Sequence, residues 1–302
     1  MNTYGTKFRV TTYGESHGLA VGGVIDGCPS GVLLDFDAIE HDMVRRREGA
    51  PRQEDDKIEW LSGIKDGVTL GTPILFTVAN NNIQSNDYDQ LEHYFRPGHA
   101  DYTYQTRYGI RDHRGGGRAS ARETVSRVVA GAIAKQLLGD IVIHADVAKV
   151  GPEYENDTYG GIVKCRIDNL KAGIGEPVFG KLNAQLAAAM MSIPSAIGFE
   201  MGAGFPAAQM RGSEFVDQWK EGGGTMTNNC GGIQGGISNG MPIEFRVAFH
   251  PIVTLSRPTQ CMSTDGTIAE IEMRGRHDRC QVYRATVIVE AMAALCLVNH
   301  LL

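Results

Sequence analysis

Glycine is the residue that most restricts how this chain can fold. It supplies 38 of the 302 residues, well above its usual share of ~7%, and it follows neither the triplet period of collagen nor the low complexity of a disordered chain. Because glycine has no Cβ, it is favoured where the backbone adopts positive φ or where another group approaches closely. The sequence therefore predicts an ordered fold with many tight turns and closely packed loops.

Composition and length exclude several classes of protein. The chain is 42% apolar and 21% charged, close to the values of globular proteins. It contains neither a stretch of ~20 uncharged apolar residues nor an N-terminal secretory signal. Its six cysteines form no CxxC pair, so neither a disulfide framework nor a zinc site is indicated. Since no linker divides the chain, we expect one cytoplasmic domain over residues 1–302.

Hydrophobic periodicity predicts a mixture of strands and helices. Alternating apolar and polar residues indicate strands at 8–13, 141–147, 162–167 and 243–249. Apolar residues at helical spacing indicate helices at 37–47, 120–138, 181–192 and 287–300. The glycine-rich stretch 222–240 predicts a long ordered loop. The irregular order of these elements favours an α+β fold over a repeating βαβ fold.

Arginines are concentrated in three windows of an acidic chain. The net charge is −6, which argues against nucleic-acid binding through bulk charge. Yet 15 of the 20 arginines lie in the windows 45–52, 96–127 and 274–284, and the middle window carries seven arginines against three acids. Arginine is favoured where phosphate or carboxylate is gripped by two parallel hydrogen bonds. The middle window therefore predicts an anion site, whereas a solvated surface paired with neighbouring acids explains the first window equally well.

A glycine loop in the middle window leads into a helix. Gly115, Gly116 and Gly117 are followed by Ser120 and Glu123, the spacing of a capping box. The spacing predicts a helix that begins near Ser120, and such an N-terminus offers unpaired N–H groups and a positive dipole to an anion. The loop is neither a Walker loop nor a GxGxxG motif, so neither ATP nor NAD is indicated.

Three histidines stand in glycine-bearing loops beside acids or arginines. His17 lies within Gly14–Gly18, His99 follows Arg96-Pro97-Gly98, and His277 follows Arg276. Histidine titrates near neutrality, so such a group can give a proton to a departing phosphate oxygen. A structural role for each histidine is the alternative.

Four motifs, taken in order along nearly the whole chain, resemble the chorismate synthase family. They are Gly14-Glu15-Ser16-His17-Gly18, Arg96-Pro97-Gly98-His99-Ala100-Asp101, Gly117-Arg118-Ala119-Ser120-Ala121-Arg122-Glu123 and Gly275-Arg276-His277-Asp278-Arg279-Cys280. The resemblance implies an α+β sandwich of antiparallel sheets and central helices, assembled as a homotetramer.

The family's reaction follows from the resemblance as an expectation. It is the conversion of 5-enolpyruvylshikimate 3-phosphate to chorismate and phosphate, a 1,4-elimination in the shikimate pathway to aromatic amino acids. The reaction requires reduced FMN although it is redox-neutral overall, so the cofactor carries the difficult step. NADP is associated with the same reaction, and the sequence leaves open whether the chain reduces the flavin itself.

The resemblance also implies roles for particular residues. His17 would act near the reduced flavin, His99 would protonate the leaving phosphate, and Asp278 would help to remove the ring proton with flavin N5. The substrate-side arginines would be Arg46, Arg52, Arg96, Arg122 and Arg276, with the choice among Arg45, Arg46 and Arg47 left open. The FMN-binding positions would be Arg118, Ala119, Ser120, Pro194, Ser195, Gly235, His250, Pro251, Ile252, Val253, Thr254 and Arg276.

Several positions depart from the family's usual residues. His250-Pro251-Ile252 stands where lysine, proline and threonine are frequent, Pro194-Ser195 stands where asparagine and alanine are frequent, and Arg279 replaces a proline. The segment 139–173 is shortened. The departing positions lie at or beside the implied flavin site, so they are expected to affect the affinity for flavin. The competing hypotheses are an anion-binding or RNA-binding module without catalysis and a degenerate synthase that binds substrate but turns over poorly.

Overall fold

The computed structural model describes residues 1–50, 54–273 and 278–302. Two of the predicted substrate arginines, Arg52 and Arg276, and the loop histidine His277 lie outside the described residues.

The strands and helices are as follows in chain order. The strands are β1 (Thr3–Tyr4), β2 (Arg9–Tyr13), β3 (Ala20–Asp26), β4 (Ile58–Ser62), β5 (Ile64–Lys65), β6 (Val68–Thr69), β7 (Ile74–Ala79), β8 (Tyr94–Phe95), β9 (Val142–Val150), β10 (Gly161–Asp168), β11 (Ala196–Met201), β12 (Ile233–Gln234), β13 (Ile237–Ser238), β14 (Ile243–Phe249), β15 (Thr259–Ser263) and β16 (Ile268–Ile271). The helices are α1 (Phe36–Arg47), α2 (Asp101–Tyr108), α3 (Thr124–Leu137), α4 (Leu182–Met191), α5 (Gly212–Phe215) and α6 (Val282–Leu301).

Two antiparallel sheets form the outer layers. One has the strand order β1-β2-β3-β7-β4 and the other β11-β14-β10-β9. In β14 every second side chain, from Ile243 to Phe249, is buried, while Glu244 and Arg246 between them remain partly exposed. This alternation is what places one face of the sheet on the core. A smaller sheet of β16, β15 and β8 and two short hairpins complete the strands.

Helices α3 and α6 fill the space between the two sheets. Helix α3 packs on β2 and β3, α6 packs on β9 and β10, and the two helices pack on each other. Both are buried along most of their length, which is why their sequences read as apolar on nearly every side. The predicted α+β sandwich of antiparallel sheets and central helices is confirmed.

Helix α6 is long and apolar enough to cross a membrane when judged by length and composition alone. The sequence analysis expected no stretch of this kind. Most of the helix is buried inside the molecule, and its Glu290 accepts hydrogen bonds from Arg45 at 2.7 and 2.8 Å and from Lys135 at 2.7 Å. The helix is therefore part of the core.

The predicted start of the central helix is wrong. The α-helix begins at Thr124, after a 3₁₀ turn at Ala121–Glu123. Ser120 Oγ accepts the N–H of Arg122 at 3.3 Å, but the Glu123 carboxylate accepts from Thr12 and Arg127. The capping box is therefore not formed, because tertiary partners compete for the glutamate.

Other boundaries differ from the prediction in smaller ways. Helix α6 begins at Val282, five residues before the predicted start. The first turn was missed because Tyr283 and Arg284 interrupt its apolar pattern. The predicted loop 222–240 contains the hairpin of β12 and β13. Strands β3, β4 and β7 of the five-stranded sheet were not predicted, nor was the edge strand β11, which pairs with β14.

Gly131 sets the closest contact between α3 and α6. A Cβ at Gly131 would lie 2.4 Å from Ala291 Cβ. We expect Gly131→Ala to lower the free energy of unfolding by about 1–3 kcal/mol, because the helices would have to separate within a packed core. Gly212→Ala is the control, since a Cβ there meets nothing within 4 Å. Equal urea-unfolding curves for the two variants would contradict the close contact.

Candidate active site

A cavity of about 1460 Å³ brings together segments from across the chain. Its described lining comes from the loop 12–18, the segment 88–121, Pro194 and Ser195, the segment 250–254, and Asp278 with Gln281. Three of the four motifs that carry the family resemblance therefore contribute described lining residues, and of the fourth motif Asp278 does so. We call this cavity the cleft.

His17 lies behind the glycine loop at the edge of the cleft. The imidazole is buried, its Nδ1 lies 3.1 Å from Ser85 Oγ, and its ring meets Tyr88 edge-on at 5.0 Å. Gly115 has φ +58°, and a Cβ there would lie 2.4 Å from the His17 ring. Only glycine permits this backbone conformation at this distance, which explains the first residue of the glycine run.

His99 is half-buried in the wall of the cleft, with both ring nitrogens engaged. Its Nδ1 lies 3.0 Å from the Pro97 carbonyl oxygen and its Nε2 lies 2.8 Å from Thr254 Oγ1. A carbonyl oxygen can only accept, so Nδ1 carries a proton and Nε2 is the nitrogen that can gain or lose one. The contact with Thr254 links His99 to the segment predicted to bind flavin.

Arg96 is buried and held by one carboxylate. Its Nε and Nη2 donate to Asp101 at 2.8 and 2.9 Å. Burial raises the pKa of Asp101, but the hydrogen bonds and charge of Arg96 outweigh this effect and hold the pKa below its usual value. Both residues line the cleft, so the guanidinium is fixed in the wall of the cleft before any ligand binds.

The structure separates the three consecutive arginines of α1. Arg45 pairs with Glu290 of α6, Arg47 with the exposed Glu40 at 2.8 Å, and Arg46 with Asp56 at 2.8 Å. Of the three, Arg46 is therefore the arginine that enters the interior toward Arg122. Among the arginines of the first window that the structure describes, the interpretation as a solvated surface fits Arg47 alone.

Asp56 joins Arg46 to Arg122 and was missed by the sequence analysis. Its side chain is 0% exposed, and its two oxygens pair with Arg46 Nη2 and Arg122 Nη1. Burial raises the pKa of Asp56, but the two guanidiniums outweigh burial and hold the pKa below its usual value. In the sequence, Asp56 is one acid of an ordinary acidic run, so no local signal marks it.

Asn80 connects the His17 loop to Arg122. Its Nδ2 donates to the carbonyl oxygens of Glu15 and Gly18 at 3.1 and 2.9 Å, and its Oδ1 accepts from Arg122 Nε at 2.9 Å. Asn80 directly follows strand β7 and was also missed. The predicted substrate arginine and the predicted histidine are thus parts of one hydrogen-bonded unit, although Arg46 and Arg122 lie behind the described lining of the cleft.

Asp278 lines the cleft and is paired with Arg284 of α6. Each side chain is 19% exposed. Burial and the neighbouring charge of Arg46 lower the pKa of Arg284 to about 10, so the guanidinium stays charged at neutral pH.

Most of the predicted flavin residues lie along the same cleft. They are Arg118, Ala119, Ser120, Pro194, Ser195, His250, Ile252, Val253 and Thr254. Pro251 belongs to this segment, and its carbonyl oxygen lies 2.6 Å from His250 Nδ1. Gly235 lies in the turn between β12 and β13, apart from the described residues that line the cleft.

Arg118 has hydrogen-bonding capacity that its described neighbours do not use. Its Nη2 donates to the Thr12 carbonyl oxygen at 3.0 Å, while its buried Nη1 has no hydrogen-bond partner among the residues that the structure describes. An unsatisfied buried donor is costly. A bound anion would satisfy it.

The shortened segment supports the wall of the cleft. Thr158 Oγ1 donates to the Ile252 carbonyl oxygen at 2.6 Å, and Arg279 Nη1 pairs with Glu153 at 3.0 Å. The connection between β9 and β10 therefore rests on the segment 250–254 and on the residue that follows Asp278. Arg279, where the resemblance implied a proline, has a structural partner here.

This fold and cleft are those of an α+β enzyme with an arginine-rich site. The family model described as Chorismate synthase matches residues 8–156 and 152–302. The chain belongs to the chorismate synthase family.

Individual relatives agree with the family model. The chain is 47% identical to a chorismate synthase of Christiangramia forsetii over 344 aligned positions, covering 100% of the chain and 97% of the relative. It is 47% identical to a chorismate synthase of Porphyromonas gingivalis, covering 99% and 95%. Both alignments exceed 302 positions, so these relatives carry residues that this chain lacks.

A solved structure has the same fold. It is described as a crystal structure of chorismate synthase and superposes with a TM-score of 0.77 at 28% identity, covering 99% of this chain and 92% of the other.

Asp56→Asn tests the buried ionic cluster. The variant leaves Arg46 and Arg122 without their shared charge, so we expect a loss of about 3–5 kcal/mol in the free energy of unfolding at pH 7. Because the folded pKa of Asp56 is depressed, its contribution is complete above the unfolded carboxyl range near pH ~4 and is lost as the pH falls through the folded pKa.

Urea unfolding of wild type and Asp56→Asn at several pH values measures this contribution, and the difference between them should shrink in acid. Asp26→Asn, in an exposed pair with Arg9, is the control. A loss at pH 7 no larger than that of the control would contradict the cluster.

Proposed function

We propose that the cleft converts 5-enolpyruvylshikimate 3-phosphate to chorismate and phosphate by a 1,4-elimination that requires reduced FMN. The observation that carries the proposal is the meeting of His99, Asp278 and Arg118 along one cleft. These residues come from three separate parts of the chain and supply a proton donor, a proton acceptor and an anion-binding guanidinium. Membership of the chorismate synthase family supports the same reaction.

Arginines would hold the substrate, which carries a phosphate and two carboxylates. Arg96 is fixed in the wall of the cleft by Asp101. Arg46 and Arg122 lie behind the described lining of the cleft and share the single carboxylate of Asp56, so these three groups would place one net positive charge behind its wall. A charge held in a fixed position before binding costs little reorganisation when an anion arrives. Arg52 and Arg276 are proposed for the same task from the family motif alone.

His99 would give a proton to the leaving phosphate. Its Nδ1–H donates a hydrogen bond to the Pro97 carbonyl oxygen, so the proton would leave from Nε2. This nitrogen is hydrogen-bonded to Thr254 Oγ1. The phosphate oxygen would replace the threonine hydroxyl at that nitrogen. A charged imidazole would therefore protonate the departing group at the point where negative charge develops.

Asp278 would help to remove the ring proton. Its carboxylate lines the cleft and is paired with a guanidinium that is charged at neutral pH, so it would be ionised and able to accept a proton. His17, behind Gly115, would stand near the flavin. Both assignments follow the family motif, and the place of Asp278 in the lining of the cleft supports its assignment.

The residues present fit a flavin phosphate group. Arg118 Nη1 is a buried donor without a partner among the described residues, and the glycine loop beside it opens onto the cleft. Arg118, Ala119, Ser120, Pro194, Ser195 and the segment 250–254 would hold FMN. When bound, reduced FMN supplies an electron to the elimination and takes it back.

We further propose that residues 1–302 act as one catalytic domain, in the cytoplasm and as a homotetramer. One hydrophobic core joins both sheets through α3 and α6, which supports the single domain. Large apolar side chains outside this core, such as Phe179 at 97% exposure and Phe205 at 78%, are surfaces that an assembly would cover.

An anaerobic assay with 5-enolpyruvylshikimate 3-phosphate and chemically reduced FMN tests the reaction. We expect chorismate and phosphate in equal amounts. His99→Ala and Asp278→Asn should each lower turnover by ~10²–10⁴-fold while FMN binding stays nearly unchanged, because positioned acid–base groups contribute this much.

His41→Ala, which alters an exposed histidine, is the control and should retain full activity. If wild type forms no chorismate where a relative does, the proposed function is wrong. If a variant keeps near-normal turnover, that residue has no part in the proton chemistry.

The histidine at position 250 should make flavin affinity depend on pH. His250 lines the cleft in place of a lysine, and an imidazole gains its charge only near neutral pH. We expect FMN to bind more tightly as the pH falls, until the FMN phosphate itself begins to protonate near pH ~6. His250→Lys should weaken this dependence and tighten binding at pH 8. Calorimetric titrations at pH 6.5 and 8 measure it, and parallel curves would remove His250 from the flavin site.

A further inference from the structure

Arg284 is a charged residue that no family motif marked, and it pairs with Asp278 of the cleft lining. It lies in the first turn of α6, where its N–H donates to the Gln281 carbonyl oxygen at 3.1 Å. Helix α6 is buried along most of its length, so Arg284 lies in the first turn of an element that is anchored in the core. Asp278, by contrast, lies in the irregular segment before the helix.

An ion pair connects these two parts of the chain. Arg284 Nη2 pairs with Asp278 Oδ2. The pair differs from the structural pair of Arg45 and Glu290, in which the carboxylate is 3% exposed and also accepts from Lys135 and from the Ala145 N–H. Asp278 remains 19% exposed and lines the cleft. A pair placed in this way can act on a bound ligand.

The charged side chains near Arg284 are more positive than negative. Arg46 of α1 lowers the pKa of Arg284, and beyond Arg46 lie Asp56 and Arg122. Among the residues that the structure describes, this group contains three guanidiniums and two carboxylates. Since Asp56 is occupied by Arg46 and Arg122, Asp278 is the carboxylate that balances Arg284.

We propose that Arg284 is a positioning residue of the reaction, which fixes the Asp278 carboxylate to the rigid start of α6 and keeps it ionised in the wall of the cleft. This inference rests on the proposed function, because it takes Asp278 as the group that helps to remove the ring proton. A guanidinium suits this task because it holds a carboxylate in a defined direction, whereas an ammonium group acts as a mobile point charge.

Arg284→Gln and Arg284→Lys, assayed anaerobically with reduced FMN, test the inference. Without the guanidinium, burial would raise the pKa of Asp278, so the acid limb of the kcat profile should move ~1–3 pH units upward in Arg284→Gln. We expect kcat to fall at least tenfold and KM for the substrate to change less than threefold. Arg284→Lys restores the charge and should bring the limb back toward its wild-type position, with part of kcat.

A second measurement avoids catalysis. In the flavin-free protein, the infrared carboxylate band that is lost in Asp278→Asn should titrate at higher pH in Arg284→Gln than in wild type. Arg166→Gln is the matched control, because it removes a guanidinium from an exposed pair with Asp168 and Glu244 on the outer face of a sheet. It should change neither the band nor the kcat profile. Circular dichroism and FMN affinity check that each variant is folded.

The outcomes separate the inference from the proposed function. If Asp278→Asn is fully active, the assignment of Asp278 fails and the inference fails with it. If Asp278→Asn is inactive but Arg284→Gln moves neither the acid limb nor the infrared titration, the inference alone is wrong. A loss of activity in Arg284→Gln with an unmoved limb and no rescue by lysine would likewise overturn it, since that result is expected of a purely structural pair.

Discussion

Two buried arginines, Arg46 and Arg122, depend on the single carboxylate of Asp56. Removing three charged groups from water is costly, and the mutual attraction repays the cost only when the geometry is good and the remaining donors are satisfied. Asn80 satisfies part of this requirement by accepting from Arg122 and donating to the loop that carries His17, whereas Arg46 Nε has no hydrogen-bond partner among the described residues. The cluster therefore fixes the position of a histidine as well as of two cations. A site for a multiply charged substrate has to be held rigidly before the substrate arrives, and this network provides that rigidity.

The scaffold explains how residues so distant in sequence can meet. Helices α3 and α6 cross closely at Gly131 and Ala291, and the start of each helix faces the same end of the sandwich. Arg122 and Ser120 precede α3, while Asp278 and Arg284 lie at the start of α6. The loop after β2 carries His17, and the segment after β8 carries His99. Both lie at the same end. The core thus positions the site by fixing the ends of its two central helices.

Much of the fold could be predicted from local sequence pattern. Strand β14 alternates buried and partly exposed residues without a break, and α1 has apolar residues at helical spacing, so both were predicted to within a residue. The start of α3 could not be predicted in this way, because Glu123 has the right spacing for a capping box but finds better partners in Thr12 and Arg127.

The residues of the candidate site likewise fall into those that local sequence marks and those that it does not. His17, His99 and Asp278 belong to continuous motifs and could be found in the sequence. Asp56 and Asn80 could not, since each matters only through a partner that folding brings near. For Asp56 that partner is Arg122, from a distant part of the chain. Arg284 lies in the third arginine window but in no motif, so its pairing with Asp278 was not predicted.

A crystal structure with oxidised FMN and 5-enolpyruvylshikimate 3-phosphate bound together would test most directly whether this cleft is the site of the reaction. The account predicts both ligands in the cleft, with the substrate phosphate within hydrogen-bond distance of His99 Nε2, the flavin phosphate beside Arg118, and the Asp278 carboxylate facing the substrate ring. Binding of either ligand away from the cleft, or a substrate phosphate that contacts neither His99 nor the arginines, would contradict it.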